Sequence, residues 1–305
     1  MSFESDLADL SDLSKRLSAT QLVNFSELDS IEVARFEEAW PEIDASRRVN
    51  VLDELAELAA DNVDLNFDAI YKLALRDEEA LVRTAALRGL YEYERRDLIP
   101  VLADLLRSDP DSTVRREAAA ALGRYALAAE LDQLRFDDAA VVRDVLMESA
   151  EDLEEDDRVR GRAIEALGAI SGEETENLIE SIYEEDSIWL KVGAVDAMGR
   201  SCNESWLPLI LREMENRAPE MRHAAAFAAG EIGDEGAINQ LKRMAVLDPD
   251  REVQMAAIHS LGEIGGSQAK VALKAILFEG AEALEEAVQE AMSEIEFHED
   301  PMGTF

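Results

Sequence analysis

One basic or polar residue recurs along this chain, and the same small residues follow it each time. In DPDSTVRREAAAALGRYA (109–126), Arg115 is followed by Ala118, Ala121, Leu122 and Gly123. Arg160 precedes Ala163, Ala166, Leu167 and Gly168, and Lys191 precedes Ala194, Ala197, Met198 and Gly199. Arg222 leads to Ala225, Ala228, Ala229 and Gly230, and Gln254 to Ala257, Ser260, Leu261 and Gly262. The steps from Arg160 through Lys191 and Arg222 to Gln254 are 31, 31 and 32 residues. Earlier copies start at Arg48 (Val51, Leu55) and Arg83 (Ala86, Gly89, Leu90), and a later one at Glu285 (Val288, Ala291, Met292). Eight copies at a near-constant period restrict the chain to a stack of like units, each burying its apolar face against its neighbours.

Each unit reads as two helices. DLIPVLADLLRSD (97–109) carries Leu98, Val101, Leu102, Leu105 and Leu106 at helical spacing. The chain then turns, Asp111 or Ser112 caps a second helix, and Val114, Ala118, Ala121, Leu122 and Tyr125 form one face of it. The glycine near the end of that helix is either its stop or a point of close backbone approach. No segment alternates as a strand does. The predicted fold is all-α, an α-solenoid of about eight helical pairs over residues 29–297.

Two places break the pattern. From Arg115 to Arg160 is 45 residues, and the surplus predicts a longer loop or short extra helix over 128–136, before a first helix over about 138–153. This makes an irregular longer unit at about 127–170. At the N-terminus (1–28), Leu7, Leu10, Leu13 and Leu17 predict an amphipathic helix that caps the array or stays a loose tail. Residues 298–305 read as a frayed tail.

With the recurring residue as zero, positions −1, +3, +6, +7 and +10 share a helix face and form the wall between helices. Alanine at +3 and +6 lets helices approach closely. A charge repeated in every unit reads as a building rule. Arg83, Arg115, Arg160, Lys191 and Arg222 are expected to reach the acidic turns of adjacent units. Asp77, Asp109 or Asp111, Asp156 or Asp157, Asp186 and Glu220 are the acceptors. Positions +1, +5 and +8 point the other way, and there the units differ. His223 and Met255 at +1, with Phe227 and His259 at +5, fall on two adjacent helices. Exposed rings and a thioether without charge form a small recognition patch. The alternative is that a neighbouring turn of the array or the C-terminal cap covers them.

Composition narrows the functions. The net charge is −38, from 68 acidic and 30 basic residues, only six of the latter lysine. Such a surface repels nucleic-acid backbones and anionic membranes. It fits a solvated surface, an acidic groove for a basic partner, or a salt-adapted protein. The single cysteine, Cys202, reads as a structural thiol, and the chain has no Cys-based zinc site. Of the three histidines, His223 and His259 could be neighbours, but only Glu263 lies near in sequence as a third ligand, so no metal or cofactor is expected. MSFESDLADL has no secretory pattern, and the cytoplasm is the expected location.

The repeat resembles HEAT repeats, and more narrowly the short Ala- and Gly-rich HEAT-like repeats of phycobilin (phycocyanobilin) lyase subunits. The motif D-x-x-x-x-V-R-x-x-A-x-x-A-L-G at Asp109–Gly123 carries the resemblance, with weaker copies at 156–168 and 250–262. It covers about 45–295. It implies a right-handed superhelix with the second helices lining its concave side, and a non-catalytic scaffold that binds a protein or peptide there. HEAT-type hydroxylases carry repeated His-Glu pairs, whereas here only His298-Glu299 occurs. Two other readings stand beside the scaffold. One is an accessory factor handling tetrapyrroles and their carrier proteins, as the lyase subunits do. The other is an acidic array with no dedicated groove.

Overall fold

The structure is a computed structural model, and its described residues are 3–90, 93, 95–278 and 284–299. Eighteen α-helices and five short 3₁₀ turns account for the order among these residues, with no strand. The chain divides into two compact units, Met1–Leu122 and Gly123–Phe305.

The first unit starts with α1 (Phe3–Leu10) and the short α2 (Ala19–Leu22). Helical pairs follow: α3 (Ser30–Ala39) with α4 (Ala45–Asp61), then α5 (Asp68–Ala74) with α6 (Ala80–Gly89). Next come α7 (Ile99–Ser108) and α8 (Ser112–Glu130), and the division between units falls inside α8. Of the N-terminal leucines, Leu7 and Leu10 are buried and Leu13 is exposed. α1 stops at Leu10 because Asp12 turns the chain, its side chain accepting from the backbone N–H of Ser14. Phe3, Phe25, Phe36 and Trp40 pack in a row with centroids 5.2–5.7 Å apart.

The second unit holds α9 (Phe136–Glu151) with α10 (Asp157–Leu167), and α11 (Glu173–Tyr183) with α12 (Ile188–Arg200). It continues with α13 (Leu207–Glu213) and α14 (Pro219–Ile232), α15 (Ile238–Leu247) and α16 (Arg251–Ile264), then α17 (Gly266–Phe278) and α18 (Glu285–Glu299). The second helices α10, α12, α14, α16 and α18 pack on one another in succession. Asp111, Asp156 and Asp250 cap α8, α10 and α16 through backbone N–H groups two or three residues on. Residues 128–136 do not form a separate helix. The Ala-rich run carries α8 unbroken to Glu130, Asp132 turns the chain at φ 55°, and α9 starts at Phe136.

The wall positions behave as their spacing predicts. Ala118, Ala163, Ala194, Ala225 and Ala257 are fully buried, as are Leu122, Leu167, Met198, Ala229 and Leu261. The +8 glycines do not belong to the variable face. They meet the +6 residue of the next unit's second helix. A Cβ at Gly199 would lie 2.5 Å from the Ala228 Cα, and one at Gly230 would lie 2.8 Å from the Ser260 Cβ. α14 and α16 instead stop one turn later, at Gly233 (φ 76°) and Gly265 (φ 67°).

Arg48, Arg83, Arg160 and Arg222 also reach the next unit's turn, though not always the expected acid, while Arg115 donates to the Asp109 carbonyl of its own turn and Lys191 lies over the Tyr183 ring. Arg48 pairs with Asp77 at 2.7 Å, and Trp40 Nε1 donates to the same oxygen. Arg83 pairs with Asp109 as expected, Arg160 with Glu185 at 2.7 Å and with the expected Asp157 only at 3.9 Å, and Arg222 with Asp248, which lies outside the expected set. Each accepting turn is 25–29 residues further along. Asp109 and Asp248 also accept from the backbone N–H two residues on, so one carboxylate shapes its own turn and ties down the preceding unit. In the seventh copy Gln254 keeps part of the rule by donating to the Asp248 carbonyl.

Candidate functional site

With the wall assigned, the free direction of the second helices in the Gly123–Phe305 unit is set by positions +1, +2, +5 and +9. At about 100° per residue, +2, +5 and +9 point nearly the same way. An open groove of about 570 Å³ lies there. α10 supplies Arg162 and Glu165, and α12 supplies Val192, Asp196 and Arg200. α14 supplies His223, Ala224, Phe227 and Glu231, and Val253 comes from α16. The N-terminal turns of α14 and α16 add Glu220, Asp250 and Glu252.

Three of the four expected patch residues come together. His223 and Phe227 lie one turn apart on α14, with ring centroids 4.8 Å apart, and Phe227 meets His259 of α16 at 5.3 Å. His223 and Phe227 are half-buried and His259 is exposed. Met255 is half-buried one turn before His259, and neither of these two residues lines the groove. Burial lowers the His223 pKa, against the opposing pull of Glu252 and Asp250, so its ring is neutral at neutral pH. The row is an aromatic shelf, uncharged at His223 and Phe227.

Around the shelf the charge is one-sided. Six carboxylates line the groove against two guanidiniums. Both guanidiniums are directed at one acid: Arg162 lies 2.5 Å and Arg200 2.6 Å from buried Glu165. Asp196 and Glu231 have no ion pair within 4 Å among the described residues. Burial, with Glu165 and Glu231 nearby, pushes the Asp196 carboxyl well above the usual range. The Glu231 side chain reaches solvent from the crowded groove. Desolvation raises its pKa to about 7, opposed by Arg200 and reinforced by Glu165 and Glu263. Asp196 and Glu165 stand at +5 in the repeat register. Arg162 at +2 and the +9 residues Arg200 and Glu231 escape the reading from sequence, because the glycines at +8 drew the variable face one residue too early.

His259, Glu263 and Glu294 are the described residues that could hold a metal. Their ligand atoms lie within 4.8 Å of one another, and Glu294 comes from the next unit's second helix. The sequence shows only Glu263 as a near carboxylate, since helix stacking and not chain proximity brings the other in. These groups are exposed or half-exposed, an arrangement common on acidic surfaces without a metal. Cys202 follows α12 at φ 49°, and desolvation with Glu231 nearby raises its pKa, which favours the unreactive thiol. Among the described residues no helix is long and apolar enough to cross a membrane.

No curated protein matches the sequence significantly. Among solved structures, the chain is similar to the CpcE–CpcF complex of phycocyanin lyase from Nostoc sp. PCC7120. The two share 16% identity over 94% of this chain and 96% of that one, with a TM-score of 0.54. It also matches human deoxyhypusine hydroxylase, at 16% identity over 96% of both chains and a TM-score of 0.39. Yeast importin-β matches at 13% identity over 93% of this chain and 47% of that one, with a TM-score of 0.43. At these identities the lyase likeness speaks for fold alone. The family described as HEAT repeats matches residues 67–151, 175–254 and 207–293, well over half of the sequence. The chain belongs to the HEAT-repeat family.

Proposed function

We propose that this protein is a non-catalytic scaffold that binds a protein or peptide partner on the free face of α10, α12, α14 and α16, and that the partner is basic. One observation carries the reading. Positions that differ from unit to unit, with the N-terminal turns of α14 and α16, here gather the His223–Phe227 part of the aromatic shelf and an excess of carboxylates into one groove. The wall residues are spent on packing and the repeated arginines on turns, so neither is free for recognition. Rings supply contact area at low entropic cost, and carboxylates supply selection for positive charge and faster encounter. The same charge disfavours nucleic acid.

Site-specific photo-cross-linking tests the reading. A photoreactive residue replaces Phe227 in one variant and Leu247 in another, Leu247 being exposed at the end of first helix α15. Cross-linking of a Lys- and Arg-rich peptide from position 227 and not from 247 supports the assignment. Equal yields from both positions reject it.

A further inference from the structure

We propose that Asp196 and Glu231 form the subsite for the cationic head of one lysine or arginine side chain of the partner, while the Phe227 shelf carries its aliphatic stem. This rests on the reading that the groove binds a basic segment. It adds which residues take the charge, and what leaves when the charge arrives.

The argument starts from who is already engaged. The two positive groups of the groove, Arg162 and Arg200, both close on Glu165. That leaves Asp196 on α12 and Glu231 on α14 facing the same groove without an ion pair, flanking Phe227 in the repeat register. An extended basic segment entering the groove meets an apolar ring edge beside two carboxyl groups. A long cationic side chain has that division itself, an apolar stem ending in a charged head. Neutral His223 adds ring surface without competing charge. Other charges facing the pair are Glu165, Arg162 and Arg200 from α10 and α12, and Glu263 from α16. Their sum leaves the pair short of positive charge.

Without a partner, protons supply that charge. Burial and like-charge neighbours favour the protonated carboxyls, and Glu231 titrates at about 7. When an ammonium or guanidinium docks, the carboxyl O–H bond breaks, the carboxylate keeps the electron pair and pairs with the cation, and the proton passes to buffer. Binding and proton release are therefore linked, and affinity rises with pH between about 6 and 8.

Isothermal titration calorimetry tests this directly. A short Lys- and Arg-rich peptide is titrated into the full chain at pH 7, in phosphate and in Tris, whose ionisation enthalpies differ. The expected result is a binding heat that depends on buffer with the sign of proton release. The Asp196→Asn/Glu231→Gln variant is expected to bind about tenfold or more weakly, with equal heats in the two buffers. Near-isosteric neutralisation relieves repulsion in the free chain, and Glu231→Gln alone, at the solvent-reaching position, repeats the test with less disturbance to packing. Suppose the peptide binds and the His223/Phe227/Met255/His259 alanine variant loses it, but neither carboxylate variant changes affinity or buffer dependence. The subsite is then wrong and the binding face stands. If the peptide does not bind the unaltered chain at all, both fall.

Discussion

Arg83 Nε and Nη2 donate to the two oxygens of Asp109, each at 2.7 Å, across 26 residues of chain. Both side chains are less than a tenth exposed. Arg83 also donates to the Asp77 and Glu78 carbonyls, so one guanidinium joins two successive turns. Removing one partner of such a pair strands a buried charge, and Arg83→Met is expected to destabilise the chain by about 3–5 kcal/mol. Adding Asp109→Asn recovers part of the loss, since an amide oxygen still accepts from the Asp111 N–H. Urea unfolding of the single and double variants checks both.

The close glycine contacts differ in what stands opposite. A Cβ on Gly193 would lie 2.1 Å from the Gly161 carbonyl oxygen, which is backbone and cannot move aside. Gly193→Ala is expected to cost about 1–3 kcal/mol despite the better helix propensity of alanine. A Cβ on Gly123 meets the end of the Arg200 side chain at 3.2 Å and the Ala166 Cβ at 3.4 Å. Gly123→Ala is expected to be neutral, or stabilising by up to about 1 kcal/mol. Thermal melts of the two variants separate these outcomes.

Stability should depend on pH through Glu231. Its folded pKa, about 7, lies above that of an ordinary glutamate, so between those values the native state holds a proton that the unfolded chain has lost. Stability therefore falls as pH rises through this window, and the loss is complete above about pH 7. Asp196 acts in the same direction, and half-buried His223, with its lowered pKa, in the opposite one. Comparing melting temperatures of the unaltered chain and Glu231→Gln from pH 5 to pH 8 isolates the term. The variant should gain relative stability as pH rises.

A net charge of −38 repels itself. Raising NaCl from 0.1 to 1 M shortens the screening length from about 10 to 3 Å, and the melting temperature should rise. An unchanged or falling value would show that screening of the arginine–carboxylate pairs outweighs relief of the surface repulsion.

The wall was legible in the sequence because small residues at fixed spacing leave few packings. Ala118 and Leu122 announce a buried face wherever their pattern recurs. The aromatic row was legible for the same reason, since Phe227 and His259 share position +5 and His223 lies one turn before Phe227 on the same helix. What hid was decided between helices. Spacing does not say that Arg160 closes on Glu185 and not Asp186, because either lies within reach of a flexible guanidinium. Nor does it say that Gly230 packs sideways on Ser260, which moves the free face to +9 and brings Glu231 into the groove. Glu294 beside His259 is a contact between units, and no local pattern marks it.

Fluorescence anisotropy of a labelled Lys- and Arg-rich peptide tests the central claim most directly. It compares the unaltered chain with the variant in which His223, Phe227, Met255 and His259 are all alanine. The account predicts saturable binding to the unaltered chain, and at least about a tenfold loss, roughly 1.4 kcal/mol, in the variant. Equal affinity for the two proteins would contradict it.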